Sequence, residues 1–386
     1  MKVAKRIEEL PPYLFAEIDR RIEEKRSQGV DVINFGVGDP DLPTPPHIVE
    51  TLCREAERPE NHRYPSYRGM ARFRRAAAEW FARRFGVELD AESEVLALIG
   101  SKEGIAHLPM ALLDPGDVAL VPDPAYPVYR TSVIFCGGTP VLMPLVEEEG
   151  FLPRLRDIPD EVWHRAEMIF LNYPNNPTAA VAGRDFLEEL AHYARKHQVV
   201  IAHDLAYSEI TYDGYVAPSL LEIPGAKEIA VEFHSLSKTY NMTGWRVGFA
   251  VGGRELISAF AAVKENIDSG VFNAVQLAAV SALEGPQDCV ERNREVYRRR
   301  RDMLVEGLRS IGWRVEPPVA TLYLWMKVPE GYDSSAFAGE LLEKAEVVVA
   351  PGSAYGERGE GYVRFSLTIP DQRIREGVER MKRAFS

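Results

Sequence analysis

The sequence of 386 residues predicts an α/β fold, with a large domain on a mostly parallel seven-stranded sheet and a smaller α+β domain beside it. Three observations carry this. Apolar runs occur at 95–99, 118–121, 140–145, 168–171, 199–202, 229–233 and 247–251. Each is short and bounded by Gly, Pro or Asp, as suits strands buried on both faces. Helix-length amphipathic stretches such as Arg184–His197 separate several of them, which is the βαβ pattern. After about residue 285 the texture changes to a strongly charged helical stretch at 290–308, strand-like segments at 323–326 and 362–367, and a charged terminal helix. The large domain is therefore expected over 48–285. The small one is expected to combine 1–47 with 286–386.

Taken in order, Leu14, Ile18 and Ile22 have helical spacing and place an amphipathic helix over 13–26. Pro-rich coil follows from Pro40 to Pro46. The N-terminus, Met1-Lys2-Val3-Ala4-Lys5-Arg6, has no apolar signal region, and no apolar run is long enough to span a bilayer, so a soluble cytoplasmic protein is expected. A net charge of −12 argues against a nucleic-acid partner. The cysteines Cys53, Cys136 and Cys289 are isolated, with no spacing that suggests a metal site or a disulfide framework.

The chemistry gathers at strand ends. Ser235-Leu236-Ser237-Lys238 follows an apolar strand and leads to Arg246. The lysine amine can form a Schiff base with an aldehyde, and the hydroxyls and guanidinium can hold a phosphate. Asp204 sits at the end of the strand expected at 199–202, with Tyr207 three residues on. A carboxylate outside a strand's carboxyl end can keep a pyridine nitrogen protonated. Asn176 lies in the turn Asn172-Tyr173-Pro174-Asn175-Asn176-Pro177-Thr178, where it can reach the same ring's phenolic oxygen. Gly100-Ser101-Lys102 stands between a strand and a helix, where backbone N–H groups bind phosphate, although its spacing is not that of a P-loop. Gly36-Val37-Gly38-Asp39-Pro40 fails as a dinucleotide fingerprint because its third glycine is missing. Tyr126, in Pro122-Asp123-Pro124-Ala125-Tyr126, can stack on a flat ring. Arg364 alternates with apolar neighbours in Tyr362-Val363-Arg364-Phe365-Ser366, so it either faces solvent or binds a carboxylate.

These motifs, in this order, resemble those of the class I and II aminotransferases, a family of pyridoxal 5′-phosphate (PLP) enzymes of fold type I. The resemblance runs from about 34 to 364. It implies that Lys238 holds the cofactor and acts as general base, with Asp204 and Tyr207 completing the catalytic set. It implies cofactor contacts from Gly100, Ser101, Lys102, Tyr126, Asn176, Asp204, Tyr207, Ser235, Ser237 and Arg246. Tyr64, with Gly69 and Arg74, matches the segment that reaches a neighbouring subunit's phosphate, which implies a homodimer with shared sites. Substrate contacts are implied at Gly38, Asn176, Arg364 and Tyr13, with Arg364 on the α-carboxylate. One departure stands out, since Ala179 occupies a place the family usually gives to Gly. The segments at 10–15, 202–207, 264–273 and 320–325 look like those of bacterial LL-diaminopimelate aminotransferases. Where dicarboxylate-specific relatives often carry an arginine, this chain has Asp268, which suits a substrate with a distal ammonium. The resemblance thus implies ping-pong transfer from an amino acid, LL-diaminopimelate or glutamate, to a 2-keto acid. Aspartate or broad-specificity transamination, or C–S cleavage on the same fold, stays open.

Overall fold

The computed structural model describes residues 2–8, 10 and 14–385, excepting the side chains of 14–19. Its largest sheet has seven strands: β1 (Val95–Leu98), β2 (Val118–Asp123), β3 (Thr139–Pro144), β4 (Ala166–Leu171), β5 (Val200–Asp204), β6 (Ala230–Ser235) and β7 (Gly248–Gly252), in the order β1-β7-β6-β5-β4-β2-β3. Only β7 runs antiparallel to its neighbours. The seven runs read from the sequence are these seven strands. Helices cover both faces, which explains why the inner strands are apolar on alternate residues of both parities. Buried Phe73, Phe81, Leu187 and Leu190 pack on one face, and Leu108, Tyr129, Val133 and Phe260 on the other.

The helix Arg184–His197 has the bounds its spacing predicts. It stops where Gln198 turns left-handed at φ 59°. The N-terminal helix spans Leu14–Ser27. The charged stretch forms the helix Asp288–Ser310, and a second sheet joins β8 (Tyr323–Lys327), β9 (Ala350–Pro351) and β10 (Tyr362–Ser366) in the antiparallel order β9-β10-β8. Ile33–Asn34 pairs in parallel with Val347–Val348, tying the N-terminal segment to the C-terminal layer. Arg300 makes a second tie. Its guanidinium donates to both Asp41 oxygens, at 2.6 and 2.8 Å, and to Asp371 at 3.0 Å. No helix among the described residues is long and apolar enough to cross a membrane.

Because β1, β2, β4, β5 and β6 are parallel, their carboxyl ends emerge on one side of the sheet. The segments that follow them converge there, as expected for open α/β sheets.

Candidate active site

The convergence encloses a cleft of about 410 Å³. Lys238 lies in the short helix Leu236–Thr239 directly after β6, whose N-cap Ser235 accepts from Ser237 N–H at 3.2 Å. This cap turns the chain sharply and sends Lys238 Nζ across the cleft to donate to the Gly38 carbonyl at 3.0 Å.

Asp204 is the last residue of β5. Tyr129 Oη donates to its Oδ2 at 2.8 Å, while its Oδ1 is buried without a hydrogen-bond partner. Burial raises the carboxyl above its usual range, and the Tyr129 hydrogen bond only partly opposes this. A buried carboxylate oxygen with no donor is costly for folding, so it marks a place where a ligand's N–H completes the site. Asn172 steadies the strand end by donating from Nδ2 to the Asp204 carbonyl at 2.7 Å.

Gly100 has φ 81°, a conformation that suits glycine, and a Cβ there would collide with Arg246 Nη2. Arg246 is itself left-handed at φ 55° and donates to the Thr243 carbonyl at 2.7 Å. The start of the helix Ser101–Leu112 and this guanidinium therefore form a pocket of donors suited to an anion.

Arg364, on β10, is buried. Nη1 donates to Asn176 Oδ1 and Nη2 to the Gly36 carbonyl, both at 2.7 Å, while Nε has no partner. The guanidinium carbon sits 4.0 Å from the Tyr323 ring centroid and 5.0 Å from that of Tyr355. Of the two sequence readings for Arg364, solvent face or carboxylate binder, the cleft position supports the second. The Arg364 bond to Asn176 Oδ1 leaves the Asn176 amide nitrogen as a donor for a ligand. Tyr207 Oη lies 3.0 Å from Tyr323 Oη, and burial holds the Tyr207 phenol well above its ordinary range. Tyr126 packs edge-on to Tyr129, and Lys102 Nζ stands 5.5 Å from its ring.

Ser101, Lys102, Tyr126, Asn176, Asp204, Tyr207, Ser235, Ser237, Lys238, Arg246, Arg364 and Gly38 all line the cleft, with Gly100 supplying the turn behind it. Tyr64 does not, since it is 87 % exposed on the surface of its own chain. Tyr13 lies outside the described residues. Asp268 is also absent from the cleft, because its carboxylate accepts from Lys264 Nζ at 2.6 Å and from Gly270 N–H at 2.7 Å. Ala179 adopts φ 59°, which is why the turn is commonly given to glycine. Sequence reasoning missed Tyr129 and Tyr323. The spacing of three between Tyr126 and Tyr129 was a helical signal for the first. Nothing local marks the second, whose role depends on how β8 pairs with β10.

A larger cavity of about 750 Å³ lies elsewhere, by Trp80, Arg84, Glu209 and Arg294. Its charges satisfy one another, as Arg84 and Arg294 both donate to Glu209 at 2.8 and 2.9 Å. The open acid, amine and guanidinium are all in the smaller cleft.

Comparison with known proteins agrees with this geometry. The family described as aminotransferase class I and II matches residues 30–381. An LL-diaminopimelate aminotransferase of Moorella thermoacetica is 54 % identical over 383 residues, covering 99 % of this chain and 98 % of that protein. One from Aquifex aeolicus is 55 % identical over 377 residues, covering 98 % and 97 %. Among solved structures, substrate-bound BacF from Bacillus subtilis superposes with a TM-score of 0.95 at 37 % identity, covering 99 % of this chain and 98 % of that one. A probable N-succinyldiaminopimelate aminotransferase from Thermus thermophilus gives 0.91 at 39 %, covering 96 % and 99 %. The family's cofactor is PLP. The residues present fit it, because the orphaned Asp204 Oδ1 suits a pyridinium N–H and the pocket at Gly100 and Arg246 suits a phosphate. A lysine amine, a buried acid, an anion pocket and a buried arginine thus share one cleft in a chain matched along almost its whole length, and the chain belongs to the class I and II aminotransferases, enzymes that transfer amino groups with PLP.

Proposed function

We propose that this enzyme transfers the amino group of LL-diaminopimelate to a 2-keto acid, 2-oxoglutarate being the first to test. The observation that carries the cleft's part in this is the buried guanidinium of Arg364, held by Asn176 and Gly36 with its Nε unused, in the same cleft as Lys238 Nζ. The choice of amino donor rests on relatives of that name at 54–55 % identity over nearly the full chain.

In this reading Arg364 binds the substrate α-carboxylate and so fixes which bond at Cα is presented for reaction. Bound in the cleft, PLP supplies an electron sink for the carbanion formed when Cα loses its proton. Asp204 Oδ1 would hold the proton on the ring nitrogen, and Tyr129 and Asn172 hold Asp204 in place. Tyr207 and Asn176 would donate to the phenolic oxygen. Ser101, Ser235, Ser237 and Arg246 would bind the phosphate, beside the turn that Gly100 makes. Tyr126 would pack on the ring. Lys238 Nζ would hold the cofactor and, when free, would take the proton from Cα as general base. Its hydrogen bond to the Gly38 carbonyl keeps the amine on the Gly38 side of the cleft.

The proposal includes a homodimer in which Tyr64 serves the second copy's phosphate pocket. Its support is the outward position of Tyr64 together with exposed Tyr67, Ile267 and Phe272. It also includes a large domain over 48–285, a small one from 1–47 and 286–386, and a cytoplasmic location. The cluster that joins Ile33 and Phe35 to buried side chains of 297–381 supports grouping the N-terminal segment with the C-terminal part.

The test is spectroscopic. The purified enzyme's visible band is followed while LL-diaminopimelate, aspartate, glutamate, alanine or an aromatic amino acid is added. Rapid bleaching of the band by diaminopimelate, reversed by 2-oxoglutarate, is expected. Faster bleaching by aspartate or an aromatic amino acid would replace the substrate, and release of pyruvate and ammonia without a keto acid would replace the reaction.

A further inference from the structure

Residue alternation along β5 turns Asp204 to the cleft side of the sheet and its neighbour His203 to the reverse side. There His203 meets its register partner Glu232 on β6, and both are sealed from solvent, at 1 % and 0 % exposure. Four donors surround the Glu232 carboxylate. His203 Nδ1 and the Leu220 N–H each lie 3.0 Å from Oε2, while His234 Nε2 and the Ser219 hydroxyl each lie 2.9 Å from Oε1. The Ser219 oxygen itself accepts from Leu221 N–H at 3.0 Å, so its proton is the one directed at Glu232. A carboxylate offers about four acceptor sites. All have a contact here, which suits the ionised form. Burial alone would raise this carboxyl, but the hydrogen bonds from His203 and His234 outweigh it and bring the group down to about 2.

His203 is then constrained at both ring nitrogens. Nδ1 faces the ionised carboxylate and Nε2 faces the Tyr173 carbonyl oxygen at 3.3 Å, and neither partner can donate. With Glu232 ionised, each ring nitrogen of His203 faces an acceptor, an arrangement that suits a proton on both.

We propose that Glu232 and His203 form a fixed carboxylate–imidazolium pair behind the cleft, and that this pair is a positioning device for Asp204, clamping the end of its strand and keeping its carboxylate ionised. The clamp follows from covalent adjacency, because His203 bonds sideways to β6 through Glu232 and to the loop after β4 through Tyr173. The electrostatic part follows from sign. Burial raises Asp204, and what opposes it is the Tyr129 hydrogen bond, then the charge at His203, then smaller contributions from the Ala206 backbone and His234. The other titratable groups beside Asp204 are Tyr129 from the helix Val128–Phe135, Tyr207 from its own loop and His234 from β6. The tyrosines are neutral, since burial raises both. The role given to Asp204 rests on the function proposed above, whereas the protonation of His203 does not.

The first test uses the cofactor-loaded enzyme with nitrogen-labelled histidine rings. Comparison with His203→Gln (H203Q) picks out the His203 signals among the eight histidines. If that variant does not fold, replacing the other histidines one at a time identifies them by elimination. Both His203 nitrogens are expected to carry hydrogen at neutral pH, and an unprotonated His203 nitrogen would overturn the pair. The second test is Glu232→Gln (E232Q), read by kinetics and melting. The acid limb of its pH–rate profile is expected to move to higher pH, because Asp204 is then protonated more readily, with kcat down about tenfold and KM for the amino donor little changed. A lower melting temperature with the acid limb in place would make the pair a structural bolt only and refute the positioning role. If E232Q does not fold, H203Q carries the same comparison. A wild-type enzyme that proved not to transaminate would refute the proposed function and leave the histidine result standing.

Discussion

Asp204 should set stability against activity. Its Oδ1 is buried without a donor, and a buried charged acceptor left unpaired costs more than a neutral group in the same place. In Asp204→Asn the amide oxygen can keep the Tyr129 hydrogen bond, and the NH₂ group takes the orphaned position. A neutral unpaired group then replaces a charged one. The cofactor-stripped variant should gain about 1 kcal/mol, the difference between the two penalties, which is a rise of about 2 °C in melting temperature for a chain of this size. The pH dependence has a fixed sign. Burial raises the folded-state pKa of Asp204 above 3.8, so the wild-type penalty is complete above that raised value and relieved as pH falls toward 3.8. The gap between variant and wild type should therefore close on acidification. Loaded with cofactor, the order reverses, because the wild type regains stability by binding and the variant regains less. Its kcat should fall at least about 100-fold, since the ring nitrogen loses its anionic partner. Melting curves of stripped and loaded protein across pH, with steady-state rates, make the comparison. A stripped variant less stable than the wild type, or one within about tenfold of its rate, would refute the reasoning.

Arg364→Lys keeps the charge but not the fork. Losing one charge-assisted hydrogen bond, with Asn176 Oδ1 and the Gly36 carbonyl poorly served, should lower kcat/KM about 100-fold, mainly through KM. An amine lacking the α-carboxylate should show no such difference between variant and wild type. A carboxylate substrate that reacts equally well with both would exclude Arg364 as its anchor. Gly38→Ala drives a methyl group against Tyr323, whose Cε1 and Cζ would lie 2.5 and 2.7 Å away, and should cost about 1–3 kcal/mol in melting free energy. Because Gly38 also accepts from Lys238, kcat should drop more than stability alone explains. A variant that melts and turns over like the wild type would show that the loop yields freely.

The sequence made the sheet legible because its strands are buried on both faces. Seven apolar runs stood out without any knowledge of pairing, and Asp204, Asn176 and Lys238 fell at or just beyond strand ends. In a parallel sheet those ends share one side, so their convergence follows from the strand pattern alone. Order and direction were not legible. Nothing in 247–251 announces that β7 runs against its neighbours, since an apolar run reads the same either way. Contacts that depend on distant pairing were hidden for the same reason. Tyr323 lies under Arg364 only because β8 pairs with β10, and Asp268 lies outside the cleft with its carboxylate held by Lys264 and Gly270.

Several positions that defy ordinary folding preferences lie in the cleft. Gly100 and Arg246 are left-handed, Asp204 keeps an unpaired oxygen, and Arg364 is a buried cation with an unused Nε. The glycine apart, each is unfavourable in isolation. On the reverse face of the sheet the opposite holds, for Glu232 has every acceptor site filled by His203, His234, Ser219 or Leu220. One strand therefore carries an unsatisfied acid on its front and, one residue earlier on its back, the histidine that meets the fully contacted Glu232 of the next strand. The back holds still so that the front can remain incomplete until a ligand arrives, and a ligand that relieves Asp204, Arg246 and Arg364 together must present a protonated ring nitrogen, a phosphate and a carboxylate.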